Sequence, residues 1–370
     1  MKNTFGNNIS LTLFGESHGS EIGAVLDGLA PGIKVDEEFI RHQLTLRRPA
    51  GSISTARAEK DEFRIVSGVF EGYTTGAPIC ILIPNENTRS KDYSKTRSLP
   101  RPGHADLTAN IKYHGFEDYR GGGHFSGRLT APIVAAAAII IGALKAKGIC
   151  IGTHIASLGG IKDAEFNQNC LELDINKLSG TTFAVLDEKA GEQMQAAVLE
   201  AKKEGDSLGG VLETAIAGVP SGLGEPWFDS VESMISHAMF SIPAIKGVEF
   251  GGGFGLAEMK GSEANDPFRM ENGRAVTLTN NNGGVNGGIT NGMPILFRCA
   301  VKPTPSIFKE QMTIDMSTGE NATLALEGRH DPAIIHRARV VVDSMAALVI
   351  SDLLAGRYGT DFLATDKSKF

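Results

Sequence analysis

The sequence predicts an α+β fold: antiparallel sheets layered against long helices, in one domain over residues 1–370. Three observations lead there. Strand-like runs and helical stretches follow one another irregularly, which fits such layers better than a doubly wound parallel sheet. Neither a G-x-x-x-x-G-K-[ST] loop nor a G-x-G-x-x-G turn after a strand is present, because GGGHFSG (121–127) and GGGFG (251–255) both miss the spacing. Glycine supplies 45 of 370 residues, against an average of about 7%, so turns and close backbone approaches must be frequent.

Strands are read at 9–14, 63–69, 79–83, 149–154, 182–186, 210–217 and 295–301, as short apolar runs between turn residues. Asp36 opens a helix to about Leu46, stopped before Pro49. Residues 126–147 form an Ala/Ile-rich helix that follows three glycines and ends at Gly148. A helix at 192–204 ends at Gly205, and Asp229 or Ser230 opens another to about Phe240. The clearest signal is 331–355, with Asp331 as N-cap, Pro332 in the first turn and Gly356 as the stop.

Charged residues at 21% and hydrophobic ones at 41% describe a globular chain with a core that needs no staples. The cysteines, Cys80, Cys150, Cys170 and Cys299, are far apart, which indicates neither a disulfide framework nor a zinc site. The N-terminus lacks an apolar signal segment. The longest apolar run, 131–144, falls short of a membrane span. A cytoplasmic protein with no membrane partner is expected. The net charge of −7 argues against nucleic acid. Yet Arg41, Arg47, Arg48, Arg57 and Arg64 lie close together, followed by Arg89, Lys91, Lys95, Arg97, Arg101, Arg120 and Arg128. Arginines gathered beside glycine loops suit a small polyanion.

Gly15-Glu16-Ser17-His18-Gly19 matches the serine-hydrolase elbow, but only 16 residues precede Ser17, where that fold needs several strands first. His18 is the better candidate, a glycine-flanked imidazole after a strand. His104, in the turn RPGHAD, has similar surroundings, and two such groups suggest proton transfer or anion contact. In DYRGGGHFSGR (118–128) three glycines lead into a helix, a cradle for an anion at Ser126 and Arg128. NNNGGVNGGITNG (280–292) is a hairpin-rich loop or a place for close backbone contact with a flat or phosphorylated ligand. No ligand pair among His18, His104, His124 and Asp331 has metal spacing. Three readings remain at this level: an enzyme acting on a small phosphorylated anion, a metal- or serine-dependent phosphate-ester hydrolase, and a non-catalytic flavin-binding protein.

Between Asn7 and Leu354 the sequence resembles the chorismate synthase family. GESHG (15–19), RPGHAD (101–106), DYRGGG (118–123), FSIPAIKGVEFG (240–251), GGITNG (287–292), KPTPS (302–306) and GRHDP (328–332) carry the resemblance, in order. It implies removal of phosphate and a proton from 5-enolpyruvylshikimate 3-phosphate in a 1,4-anti elimination, giving chorismate in the shikimate pathway. The reaction uses reduced FMN without net redox change. By the same resemblance His18 and His104 are acid/base groups, one at the leaving phosphate and one at the flavin, and Asp331 helps move the departing proton. Flavin contacts fall on His124, Phe125, Ser126, Pro243, Ala244, Gly287, Lys302, Pro303, Thr304, Pro305, Ser306 and Arg329. Arg48, Ser17 and Arg128 serve substrate or NADP, with NADPH a candidate reductant of the flavin, and Ser17 is a hydrogen-bonding group rather than a nucleophile. A homotetramer is implied. The chain departs from the family at His124 and Leu129, where an arginine and a glutamate are common.

Overall fold

The structure, a computed structural model, describes residues 2–364 apart from 50, 52, 55–59, 87–96, 169 and 327–329. Two five-stranded antiparallel sheets frame its core. The first contains β1 (Thr4–Phe5), β2 (Ser10–Gly15), β3 (Glu21–Asp27), β4 (Arg64–Ser67) and β5 (Ile79–Pro84), in the order β1-β2-β3-β5-β4. The second contains β6 (Cys150–Leu158), β7 (Ile161–Lys162), β8 (Gly210–Ala217), β9 (Ile245–Phe250) and β10 (Ile295–Val301), in the order β9-β10-β8-β6-β7. Period-two patterning sets their inner faces. Ile79, Ile81 and Ile83 of β5 are buried while their neighbours are half-buried, and on β10 Ile295, Phe297, Cys299 and Val301 are buried while the residues between them are half-buried or exposed.

Between the sheets lie helices that are apolar nearly all round, as a helix buried on every side must be. The principal helices are α1 (Glu37–Arg47), α2 (Asp106–Tyr113), α3 (Thr130–Ala146), α4 (Leu171–Ser179), α5 (Glu188–Lys203), α6 (Val231–Ser241) and α7 (Ile335–Tyr358). Helix α3 packs on β2, β3 and β5, α7 packs on β6 and β8, and the two helices pack on each other and on α1. The order is therefore sheet, helix, helix, sheet, and one hydrophobic cluster runs through it from Ile9 to Leu363. The stretch 120–146 is long and apolar enough to cross a membrane, but α3 is buried between layers and is a core helix.

Several sequence expectations need correction. Residues 182–186 are not a strand: Ile155 N–H bonds Ala184 O, and the Asp163 carboxylate takes the N–H groups of Leu186 and Asp187. The next helix begins at Glu188 rather than 192, because Asp187 caps it by accepting from Lys189 N–H. The strand expected at 63–69 is interrupted at Gly68, whose φ of 83° ends the extended path. Asp331 is not the N-cap of the last helix. Helix α7 starts at Ile335 without a side-chain cap and continues through Gly356 to Gly359, whose φ is 85°. Strand β3, strand β9 and helices α2 and α4 were not anticipated.

Candidate active site

The loop after β2 and the glycine run 121–123 meet at the two histidines. Gly121, Gly122 and Gly123 have φ of 60°, 81° and 51°, a left-handed path that side chains disfavour. Contact is a second reason for glycine. A Cβ on Gly121 would lie 2.2 Å from His18 Cε1, and one on Gly122 would lie 3.1 Å from His104 Cε1. Consecutive residues, with Cα atoms about 3.8 Å apart, thus seat the two imidazoles. Ser17 N–H donates to Gly123 O at 3.1 Å. His124 donates from Nδ1 to Gly15 O at 2.8 Å, which ties the glycine loop to the end of β2. Arg120 closes the loop by gripping Asp118 with two bonds of 2.8 Å.

His104 has a defined proton arrangement. Its Nδ1 lies 2.6 Å from Asp106 Oδ1 and 3.0 Å from Arg101 Nη2; the closer carboxylate is held ionised and can only accept, so Nδ1 is assigned the hydrogen and Nε2 is left for other partners. Arg101 grips the same carboxylate through Nε at 2.7 Å and Nη2 at 2.8 Å. Burial raises the Asp106 carboxyl, but hydrogen bonds from Arg101 and His104 outweigh it and hold the group well below the usual carboxylate range.

The segment 302–306 closes another side. Lys302 Nζ donates to Gly103 O, Lys302 N–H donates to Ala244 O at 2.9 Å, and Arg101 Nη1 reaches Ser306 Oγ at 3.5 Å. Ala244 sits beside Pro243 with φ of 76°, so this turn is held in a left-handed conformation. Burial, and then the neighbouring Lys246 ammonium, pull the Lys302 pKa down. Thr304 Oγ1 is buried with no hydrogen-bond partner among the described residues.

A third group gathers arginines around Asp61, whose side chain is fully buried. Arg47 Nη2 lies 3.1 Å from it, Arg48 Nε lies 3.6 Å away, and Arg128 Nη1 also pairs with it. Burial raises the Asp61 carboxyl, and Arg47 and Arg128 more than reverse that. Three guanidiniums therefore face one carboxylate. Ser126 accepts from Arg128 N–H and so starts the turn that delivers this arginine. Asp331 joins from behind: Arg337 binds it at 2.6 Å and donates to Arg47 O at 2.9 Å.

The structure therefore links Ser17, His18, His104 and His124 with Phe125 and Ser126, and links Ala244 and Lys302–Ser306 to the His104 loop. Arg48, Arg128 and Asp331 form the adjoining charged network. Gly287 is exposed in a hairpin, where an added Cβ would meet nothing within 4 Å. Arg329, with Arg57, Arg89, Lys91 and Lys95, lies outside the described residues. Sequence reading missed Asp106 and Asp61. Asp106 stands two residues from His104 in a turn and could have been found there, whereas the partners of Asp61 are scattered in sequence. Among the described residues no group of three or more His, Cys, Asp or Glu is arranged to hold a metal ion.

This geometry coincides with a family match. The model described as chorismate synthase matches residues 9–355. The chain belongs to the chorismate synthase family. A chorismate synthase of Thermococcus kodakarensis is 47% identical over 352 residues, covering 95% of this chain and 97% of the relative. One of Dehalococcoides mccartyi is 45% identical over 359 residues, with 95% and 96% covered. A solved structure described as the crystal structure of chorismate synthase is similar with a TM-score of 0.76 at 31% identity, over 96% of this chain and 94% of that one. The likeness extends through the α+β layers as well as the motifs.

Proposed function

We propose that this carbon–oxygen lyase converts 5-enolpyruvylshikimate 3-phosphate to chorismate by 1,4-anti elimination, with reduced FMN as cofactor. The observation that carries the reading is the seating of two imidazoles on adjacent glycines beside an arginine cluster, within a chain of this family. The substrate bears two carboxylates and a phosphate, groups that the arginines gathered around Asp61 suit.

The residues present fit a flavin mononucleotide. Lys302 and Lys246 form a cationic pair that a phosphate would relieve, and Thr304 Oγ1 is a buried hydroxyl in want of a partner. His124 to Ser126, Pro243, Ala244, Gly287, Lys302 to Ser306 and Arg329 are the residues proposed to hold it. When bound, reduced flavin supplies an electron-rich ring that can lend electron density to the substrate and recover it.

The protein's own tasks are orientation and proton management. Arg48 and Arg128 hold the anionic groups, with Asp61 fixing their positions. One histidine gives a proton to the departing phosphate as its C–O bond breaks, which makes it a weaker base and a better leaving group. The other stands at the flavin side. Asp331, oriented by Arg337, helps carry away the proton lost from the opposite ring face, and the freed electron pair forms the second ring double bond. Asp106 supports His104 in either role, because its carboxylate holds the ring through Nδ1. Ser17 contributes a hydrogen bond.

The same reading makes the chain one catalytic domain, supported by its continuous core. A homotetramer is supported by exposed Phe254, Phe268 and Met270, and a cytoplasmic setting by four free cysteines. NADPH is the proposed source of electrons for the flavin. The test is an oxygen-free assay with photoreduced FMN and the phosphorylated enol ether, followed by chorismate absorbance. Absence of product with folded protein would overturn the proposal.

A further inference from the structure

A second cavity lies away from the histidines, toward the C-terminal end of α3, with a volume of about 230 Å³. Its walls are apolar, chiefly Phe39, Ile141, Leu144, Ile151 and Ile175. Gly152 lets α4 approach this part of β6, because a Cβ there would lie 3.0 Å from Ile175. The floor is polar. Arg339 is 2% exposed and Asp343 is 6% exposed, with 3.4 Å between Arg339 Nη1 and Asp343 Oδ2. Arg339 Nη2 donates to Thr181 O at 2.7 Å, and Thr153 donates to Asp343 Oδ1 at 2.6 Å. Arg339 Nε, also buried, has no hydrogen-bond partner among the described residues. At the mouth stand His42, Lys145, Asn176 and Ser179, all exposed.

A buried guanidinium donor without a partner is costly, roughly 1–3 kcal/mol or more, and it lines a space larger than the 150 Å³ or so that accepts benzene. The charges lining the cavity favour an anion. Arg339 and Lys145 face one carboxylate, Asp343, whose ionisation burial opposes. We propose that this cavity is a binding site for a small ring-bearing monocarboxylate, whose ring fills the apolar walls and whose carboxylate accepts from Arg339 Nε. None of its lining residues belongs to the proposed active site. Arg337 and Arg339 nevertheless leave the same turn of α7, one toward Asp331 and the other toward the cavity.

The test uses the full chain with benzoate as probe, and benzylamine and benzyl alcohol as charge controls. Cys150 lines the cavity, so benzoate should slow its alkylation by maleimide, read by peptide mass spectrometry, while leaving Cys170 unaffected. Arg339→Met should weaken benzoate roughly tenfold or more, the usual loss of one charge-assisted hydrogen bond. Ser179→Trp, an exposed change at the mouth, should block binding while the protein stays folded and active, and it carries the test if Arg339→Met does not fold. Saturating substrate should not displace benzoate. The proposal is overturned if benzoate fails to bind at millimolar concentration, if both variants bind it as the wild type does, if benzylamine binds as well, or if substrate competes with it.

Discussion

His104 Nδ1 and Asp106 Oδ1 are 2.6 Å apart, and Arg101 binds both oxygens of the same carboxylate. Asp106 thereby decides which imidazole nitrogen carries hydrogen. Asp106→Asn can keep a hydrogen bond but can also reverse it and turn the wrong nitrogen toward the reacting atoms. Turnover should fall roughly 10²- to 10⁴-fold while KM changes little. His104→Ala should cost roughly 10²-fold or more. The double variant should be no worse than the poorer single one, because the two residues act as a unit. Oxygen-free steady-state kinetics on proteins with matched melting curves decides the matter. Additive losses would separate Asp106 from His104.

Gly121 is bound by both backbone and contact, so Gly121→Ala tests the seat of His18. Its φ of 60° and the 2.2 Å approach to the ring leave a methyl no room. The strained backbone costs about 1–3 kcal/mol, and the displaced ring should remove most activity. Gly127→Ala is the matched control, since a Cβ there meets nothing within 4 Å. Melting temperatures and turnover of the pair would reveal the contrast, and equal behaviour would mean that the imidazole is not held by this peptide.

Arg48 is the most exposed of the three arginines on Asp61, at 29% of its side chain against 3% for Arg47 and 9% for Arg128. It is therefore the one best placed to leave Asp61 and meet a ligand. Arg48→Ala should raise the substrate KM more than it lowers kcat, as loss of uniform binding does. The reverse pattern would show that Arg48 acts on the transition state. Arg47→Ala should instead weaken folding, because it strips a buried carboxylate of a buried partner.

Elements flanked by glycine or turn residues were legible in sequence: Gly210–Ala217 and Ile295–Val301 begin and end where their apolar runs do. Strand β3 was not, because Gly23 interrupts its pattern. That glycine exists for a contact invisible in sequence, since a Cβ would lie 2.3 Å from the Phe14 ring. Asp331 looked like a cap because aspartate before proline usually is one, but the ion pair with Arg337 took the carboxyl instead. At the candidate site the histidines and glycines were readable as motifs. Asp61 was not, because its role arises only when residues 47, 48 and 128 are folded together.

Two buried histidines outside the site should set the pH range of stability. His154 bridges Asp163 at 2.7 Å and Glu213 at 3.1 Å. Burial opposes its charge, but those hydrogen bonds prevail and raise its pKa above the ordinary value. His336, bonded to Ser54 at 2.9 Å, is pulled down to about 3 by burial and by Arg337. The signs are opposite. Above about pH 6.5 the folded chain keeps the His154 proton that the unfolded chain releases, so its stabilisation, full below that pH, is lost as pH rises through the folded value. Below about pH 6.5 the unfolded chain protonates His336 while the folded chain does not, so stability also falls toward acid. Each limb has a slope of at most about 1.4 kcal/mol per pH unit. Denaturant unfolding across pH should flatten on the alkaline side in His154→Gln and on the acid side in His336→Asn. Unchanged limbs in both variants would mean that other groups control the profile.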